Sequence, residues 1–212
     1  MLEKTNLLLL LNDYSIKNIV MCPRSKEQYE EIRKNKRDLI LKAALELFAE
    51  NGFHNTTINS IAQKTNISSG LLYNYFESKD DLLRKIVSKG ITEIITSLGD
   101  NKNDILTKDE FVHYIKENFN IIKNNLNFWR LYIAIIIQPS VLKIVKDEIL
   151  NLYSPLLKKL ENYFIAQGVE NPVVETKLFS SIMDGVSINY VLDSENFPLK
   201  DVINLIILRF CY

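Results

Sequence analysis

The sequence predicts an all-α protein, and three observations support that prediction. The 212 residues include only six glycines and five prolines, fewer than a turn-dense β-sandwich, a disordered linker or collagen would contain. Apolar residues recur at helical spacing, and Gly or Pro falls between the apolar stretches. No stretch of the sequence competes as a strand. With 47% hydrophobic residues, the chain can bury a core in one or two domains.

The first helix is predicted over residues 26–50, with Gly52 as its C-terminal stop. Three short helices should follow, capped by Thr57, Ser68 and Ser78, the last with Asp81 as partner in a weak capping box. The expected apolar face of the first helix holds Ile32, Leu39, Ile40, Ala43, Ala44, Leu47 and Phe48.

A longer helical array fills the rest of the chain. Thr107 and Glu110 form a second capping-box pattern, and Pro155 is expected near a helix start. The helices are predicted over residues 79–98, 107–125, 128–137, 140–167, 173–192 and 199–212.

The first twenty residues predict neither export nor a membrane anchor. Residues 7–11 are apolar, but Asn12 and Asp13 interrupt them. This run is shorter than a signal-peptide core and far shorter than a membrane span of about 20 residues. We interpret residues 1–20 as a short extra helix or a non-native extension and expect functional sequence from Met21.

Cysteine and histidine usage argues against a metal or catalytic centre. Cys22 and Cys211 lie at opposite ends of the chain, and His54 and His113 are its only histidines. No glycine-rich phosphate loop or nucleophile elbow is present. We therefore expect no metal site, no cofactor and no enzyme activity, and two unpaired cysteines suit a cytoplasmic protein.

The charge is balanced overall but uneven along the chain. Residues 21–90 carry 12 Lys/Arg against 9 Asp/Glu, whereas residues 91–212 carry 12 against 15. A basic front end suits a phosphate backbone, although acidic residues alternate with these cations, as on any solvated helix face. The cations concerned are Arg24, Lys26, Arg33, Lys34, Lys36 and Arg37.

Residues 56–83 have the pattern of a helix-turn-helix. Ile61 and Ala62 lie where two short helices would touch, and Asn66 lies at the turn, where a left-handed φ is needed. Ile67 and Leu72 close the wedge between the helices. The polar and small residues that follow Ser68 remain on the outside, at the end of the second helix that meets base edges in such motifs.

Residues 39–83 closely resemble the DNA-binding domain of TetR-type transcriptional regulators. The shared motifs are A-x-x-L-F-x-x-x-G-F, T-T-I-x-x-I-A, G-x-L-Y-x-Y-F and S-K-x-x-L-L. The resemblance implies an N-terminal three-helix helix-turn-helix domain at 26–78 after an extension at 1–25. A larger helical effector-binding and dimerisation domain would occupy residues 79–212.

The resemblance also implies roles for single residues. Thr57, Tyr73 and Lys79 match family positions that contact DNA phosphates. Two departures from the family are Ser69, where many members have Lys, and Asn66, which replaces a common turn Gly. Tyr75 and Phe76 are expected in the core. Base-reading positions match Ser69, Gly70, Leu71 and Asn74, with Asn59 as a weaker candidate.

The remainder of the chain carries no comparable motif. Its aromatic residues suit either a core or a pocket for a small-molecule effector. His113, Arg130 and Gln138 are the candidate polar residues of that pocket, although each alone is more often a surface residue or a satisfied structural group. Two C-terminal helices suit either a homodimer interface or an intramolecular core. The pocket residues predicted are Phe111, Tyr114, Trp129, Tyr132 and Tyr153, and those of the interface are Leu178, Ile182, Gly185, Asn189, Leu205 and Leu208.

The function that the resemblance implies is a sequence-specific repressor, bound to double-stranded operator DNA and released by a ligand. An activator would carry the same motif, and so would a regulator without an effector. An all-α interaction module that has lost DNA binding is the other alternative.

Overall fold

The computed structural model of the chain describes residues 25–99 and 105–211. The predictions for residues 1–20, Cys22, Arg24 and Tyr212 lie outside these ranges. The chain forms two units, Met1–Lys36 and Arg37–Tyr212. Described residues 25–36 of the first unit are mostly the exposed start of a helix.

The described residues are helical and contain no strand, which confirms the all-α prediction. No single helix among them is long and apolar enough to cross a membrane; only the helix pair Leu126–Ile136 and Pro139–Ala166, bent by 104°, has that length and composition when its two members are taken together. The helices are α1 (Lys26–Asn51), α2 (Ile58–Lys64), α3 (Ser69–Tyr73), α4 (Lys79–Thr96), α5 (Lys108–Asn124), α6 (Leu126–Ile136), α7 (Pro139–Ala166), α8 (Pro172–Leu192) and α9 (Leu199–Phe210).

The helix ends follow the predicted capping chemistry. Thr57, Ser68 and Ser78 each accept a hydrogen bond from the backbone N–H three residues later, and Thr107 forms a complete capping box with Glu110. The box predicted at Ser78 is only half made, because the Asp81 carboxylate accepts from Glu77 N instead.

The buried face of α1 is rotated around the helix relative to the prediction. Ile40, Ala44 and Phe48 are buried, but Ile32 and Leu39 are exposed. At about 100° per residue, Leu41 and Leu45 extend the stripe on the other side of Ile40 and Ala44. Gly52 ends the helix with φ +79°, as predicted.

Pro155 lies inside α7, so the expectation that it is near a helix start is wrong. Pro139 occupies the first turn of that helix, where a proline needs no intrahelical N–H bond. The helix continues through Pro155, which lines a groove between α4 and α7.

Aromatic side chains fill much of the core behind α4. The rings of Phe111 and Tyr163 stack with centroids 4.1 Å apart. A second group contains Tyr132, whose ring lies so close to Gly90 that a Cβ there would be 2.4 Å from Cε2. The first group also includes Phe164, Phe179 and Phe210, and the second Phe128 and Trp129.

Candidate nucleic-acid interface

The helices α2 and α3 form the predicted helix-turn-helix. Ile61, Ala62 and Leu72 are buried where the two helices meet. Asn66 has φ 53° at the turn, and it is the one non-glycine residue with a positive φ in the described part of the chain. Its identity is thus explained by backbone geometry, because asparagine tolerates the left-handed region. We call residues 37–78 the reading head.

The outer side of α3 carries the side chains predicted to read bases. Leu72 alone of this helix is buried, whereas Leu71 is 39% and Tyr73 54% exposed. A Cβ built on Gly70 would meet no atom within 4 Å. Packing within the chain therefore does not require glycine at this helical position. A partner that approaches α3 closely would require it.

Two of the predicted base-reading residues contact each other. The Ser69 hydroxyl donates to Oδ1 of Asn59 over 2.6 Å, which joins the outer surfaces of α2 and α3. Asn74 is exposed at the C-terminal end of α3. The predicted set therefore lies on a continuous exposed face, with Asn59 oriented by Ser69.

The three predicted phosphate contacts lie around one open depression of about 340 Å³. Thr57, at the start of α2, Tyr73, at the end of α3, and Lys79, at the start of α4, all line it. Their hydroxyl and ammonium groups are hydrogen-bond donors, which suit the oxygen atoms of a phosphate. His54, Thr56, Ile58 and Asn59 complete the lining.

Lys79 also has a defined role inside the protein. Its ammonium donates to the carbonyl oxygens of Phe53 at 2.9 Å, His54 at 3.3 Å and Thr56 at 2.9 Å, and it lies 4.5 Å from the centroid of the Phe53 ring. These contacts explain a cation at a helix start, where the helix dipole disfavours it. A phosphate contact by Lys79 remains a prediction.

Sequence reasoning missed the loop that Lys79 holds. Thr56 is buried, and its hydroxyl lies 3.0 Å from the carbonyl oxygens of both Leu47 and Gly52. Only Thr57, the cap, carries a local sequence signal. Phe76 is buried as expected, with the Arg37 guanidinium 5.2 Å above its ring, and Tyr75 is half-buried against the core.

Known proteins share this arrangement. Residues 40–86 match the family of bacterial regulatory proteins named tetR. The fatty acid metabolism regulator protein of Bacillus subtilis is 22% identical over 176 residues, which are 79% of this chain and 90% of the relative. The chain belongs to the TetR family.

Two solved structures show the shared fold. NalD, the secondary repressor of the MexAB-OprM multidrug efflux pump in Pseudomonas aeruginosa, has a TM-score of 0.66 at 16% identity, over 84% of this chain and 96% of NalD. FadR of Bacillus subtilis in complex with stearoyl-CoA has a TM-score of 0.60 at 16% identity, over 82% and 97% of the two chains. Membership of the TetR family makes this protein a DNA-binding transcriptional regulator.

The larger part of this TetR-family chain, residues 79–211, is here called the effector half. Phe111, Tyr114, Trp129 and Tyr132 are buried, and Tyr153 is half-buried. Phe111 and Tyr114 belong to the first aromatic group, and Trp129 and Tyr132 to the second. These five residues are thus packed, and their role in ligand binding remains a prediction.

Phenol and carboxyl groups near these aromatic residues have shifted pKa values. Burial raises the pKa of Tyr153 to about 12, and the nearby Asp184 carboxylate acts in the same direction. Burial likewise raises the pKa of Tyr114 and of Tyr132. The pKa of Asp184 is raised by burial too, although part of this residue is exposed. A phenol here therefore stays protonated and uncharged at neutral pH.

The three candidate polar residues of the pocket lie at the surface or between helices. His113 precedes the buried Tyr114, and Arg130 follows the buried Trp129, on amphipathic helices. Both side chains are therefore exposed. Gln138 lies between α6 and α7, and its amide contacts residues of the reading head. These positions match the surface or structural role considered for each of the three residues, and a role in ligand binding stays a prediction.

An apolar groove of about 550 Å³ lies between the C-terminal end of α4 and the middle of α7. Pro155 lines it, and Lys158 and Lys159 add positive charge. Lys158 pairs with Glu161 at 2.8 Å. None of the five predicted aromatic residues is part of the lining, which also includes Ile95, Leu98, Gly99, Leu152, Leu156 and Asn162.

The residues predicted for the dimer interface form an exposed surface on α8 and α9. Leu205 is 64% and Leu208 81% exposed, and a Cβ on Gly185 would meet no atom within 4 Å. Asn189 donates to the Gly185 carbonyl oxygen over 2.7 Å. Leu178 is also exposed and Ile182 is half-buried, so all six residues are available to a partner to some degree.

Proposed function

We propose that the chain is a non-catalytic repressor that binds two-fold operator DNA as a homodimer and releases it when an amphiphilic effector binds. The observation that carries the proposal is the exposed face of α3 beside a donor-lined depression. Phosphate contacts orient such a protein, and base contacts give it sequence preference. NalD, with the same fold, is a repressor.

On this proposal, bases and phosphates are contacted by different residues. Asn74 is exposed at the end of α3, where its amide can form paired hydrogen bonds with adenine, and Leu71 can contact a thymine methyl group. Thr57 and Tyr73 hold phosphates on either side of the depression. Gly70 allows the DNA to approach α3 closely.

Two substitutions test this division on a duplex selected by the protein and on a scrambled duplex. Asn74→Ala should weaken binding to the selected duplex by about 5- to 150-fold, equivalent to about 1–3 kcal/mol, and leave scrambled DNA unchanged. Tyr73→Phe should weaken both similarly, because phosphates carry no sequence.

Asn120→Ala, at an exposed asparagine of α5, is the matched control and should change neither affinity. Equal losses for Asn74→Ala on both duplexes would contradict the proposed base contact. We use Tyr73 rather than Lys79 for the phosphate test, because loss of Lys79 would also release three loop carbonyls.

The exposed surface on α8 and α9 supports the homodimer. Burying Leu205 and Leu208 against a partner would contribute about 1.5–3 kcal/mol for each fully buried side chain. Gly185 has open space beside a helical backbone, so a partner helix can approach there. A two-fold dimer would place two reading heads on half-sites about 10 bp apart or a multiple of that distance.

A negative charge introduced into this exposed surface should separate the two protomers. Leu208→Glu should change the mass in sedimentation from twice the 24.6 kDa chain mass to a single chain, and operator binding should fall with it. Leu150→Glu, at an exposed leucine of α7, is the matched control and should stay dimeric. A dimeric Leu208→Glu protein would place the interface elsewhere.

The groove between α4 and α7 is the proposed effector site. Its apolar walls suit an alkyl chain, and Lys158 suits a negatively charged head group. The relative FadR was crystallised with stearoyl-CoA, an amphiphile of this kind. The helix α4 extends from Lys79 to Thr96, about 27 Å, so a ligand that displaces its end can move its start beside the depression.

Stearoyl-CoA is the probe for this site. The chain has one tryptophan, Trp129, whose fluorescence should change on binding. Lys158→Glu should weaken binding more than Lys146→Glu, an exposed charge reversal on the same helix outside the groove. Bound ligand should lower operator affinity by about 5- to 150-fold, the usual range of allosteric coupling. Equal binding by both variants would contradict the proposed site.

A further inference from the structure

One side-chain amide joins the effector half to the reading head. Gln138, half-buried between α6 and α7, accepts a hydrogen bond from Phe53 N at 3.3 Å through Oε1. Its Nε2 donates to the carbonyl oxygens of Ala134 at 3.1 Å and Phe48 at 3.4 Å. Phe53 and Phe48 lie 85 and 90 residues away in the sequence.

These contacts satisfy backbone groups at the end of α1. The last four carbonyl oxygens of a helix have no partner within it, and Phe48 provides one of them because α1 ends at Asn51. Phe53 N follows the left-handed Gly52, outside the helix. A neutral amide can donate to one group and accept from the other. Gln138 is therefore a C-terminal cap supplied by the effector half.

The same loop is held from a second direction. The Phe53 carbonyl oxygen accepts from Lys79 at the start of α4, and the Phe53 ring packs edge-on against Phe48 with centroids 5.1 Å apart. Thr57 begins α2 only four residues after Phe53. Lys79 and Gln138 thus both hold the loop before α2 by hydrogen bonds, in addition to the hydrophobic core that the reading head shares with the effector half.

We propose that Gln138 is a positioning residue that sets the angle of each reading head and thereby the half-site spacing that the dimer accepts. The inference rests on the proposed homodimer and operator. Without Gln138, the loop would be held by Lys79 and by core packing only, and the head would sample a wider range of angles. Loss of Gln138 should therefore broaden the accepted spacings more than it weakens the grip of one head on DNA.

The test uses the full chain and a series of duplexes that carry the selected half-sites at separations changed by one and two base pairs. Wild-type protein should bind the duplex with its preferred half-site separation about tenfold or more tightly than the others in the series. Gln138→Met is similar in length but makes no such hydrogen bonds, and it should reduce this affinity ratio to about threefold or less. Gln138→Glu keeps an acceptor for Phe53 N but loses the donor, and should fall between them.

Two further measurements separate positioning from stability. Hydrogen exchange of the Phe53 amide should accelerate by about two- to tenfold in Gln138→Met, with thermal unfolding showing a folded protein. Gln167→Met, at an exposed glutamine, is the matched control and should match wild type in exchange and spacing. If Gln138→Met does not fold, Gln138→Glu provides the same comparison.

The outcomes distinguish this inference from the proposed function. A wild-type spacing ratio in Gln138→Met, or unchanged Phe53 exchange, would overturn the role of Gln138 and leave the operator proposal standing. Failure of the wild-type protein to bind any duplex would overturn both proposals. A wild type that binds without a spacing preference would overturn the inference and the two-fold dimer.

Discussion

The reading head and the effector half differ in the sequence distance over which their stabilising contacts act. In the head, Thr57 and Ser68 each cap a helix by binding a backbone N–H three residues later. In the effector half, Phe111 on α5 packs against Tyr163 on α7 and Phe179 on α8. Local contacts can be recognised in a sequence, whereas contacts between distant helices depend on how those helices pack.

The two regions also differ in what their exposed and buried residues do. On α3, exposed residues such as Leu71 are proposed to contact DNA. In the effector half, the aromatic residues predicted to bind ligand are mostly buried against one another. Substitutions should therefore affect binding in one region and folding in the other.

The largest expected contrast compares a buried and an exposed side chain. Phe111→Ala should lower the free energy of unfolding by about 3–5 kcal/mol, because a buried ring leaves a cavity at the centre of the aromatic group. Leu71→Ala should leave unfolding nearly unchanged and weaken operator binding. Urea unfolding and DNA binding measure both quantities. A small stability loss in Phe111→Ala would mean that this ring borders an open cavity.

Two glycines provide the next contrast. Gly90→Ala should lower the free energy of unfolding by about 1–3 kcal/mol, since its Cβ would overlap the Tyr132 ring, whose hydroxyl is held by Val87 O at 3.2 Å. Gly70→Ala should raise that energy by up to about 1 kcal/mol through helix propensity and reduce DNA affinity. Equal DNA binding by Gly70→Ala and wild type would contradict close approach of DNA to α3.

Cap substitutions should show where the two regions behave alike. Ser68→Ala in the head and Thr107→Ala in the effector half each remove a side-chain acceptor at a helix start, and each should cost about 0.5–2 kcal/mol of unfolding free energy. Thermal unfolding measures both. A much larger cost for Thr107→Ala would mean that caps in the effector half act through tertiary packing as well.

The smallest effect is expected only at alkaline pH. The pKa of the Tyr153 phenol is raised to about 12, so the folded state holds this proton more tightly than the unfolded chain does. That contribution is complete below the unfolded pKa of about 10 and is lost as the pH rises through 12. In a pH titration, the phenolate absorbance of Tyr153 should therefore appear at a higher pH than that of a tyrosine in the unfolded chain. A Tyr153→Phe protein with an unchanged titration curve would contradict this assignment.

Much of the fold and of the reading head was predictable from sequence. Asn66 and the caps at Thr57 and Ser68 follow from local backbone chemistry, and the structure confirms each of them. The position of Pro155 was misjudged because proline is favoured in the first turn of a helix, whereas in α7 Pro139 occupies that turn and the helix continues through Pro155.

The positions that could not be predicted depend on groups far apart in sequence. Gln138 was a candidate for either a ligand pocket or a structural role, but its cap on α1 acts across 90 residues, and no sequence spacing predicts such a contact. Lys79 was predicted only as a phosphate contact, because its carbonyl partners on the loop after α1 are apparent only in the tertiary structure.

Selection from a random pool of duplexes tests the central claim, that α3 and the depression beside it recognise operator DNA. We expect enriched sequences with two inverted half-sites, centred about 10 bp or a multiple of that apart, and an affinity whose logarithm falls with log salt by about 0.9 per phosphate contacted. A pool that yields no enriched sequence at low salt, or binding without salt dependence, would contradict it.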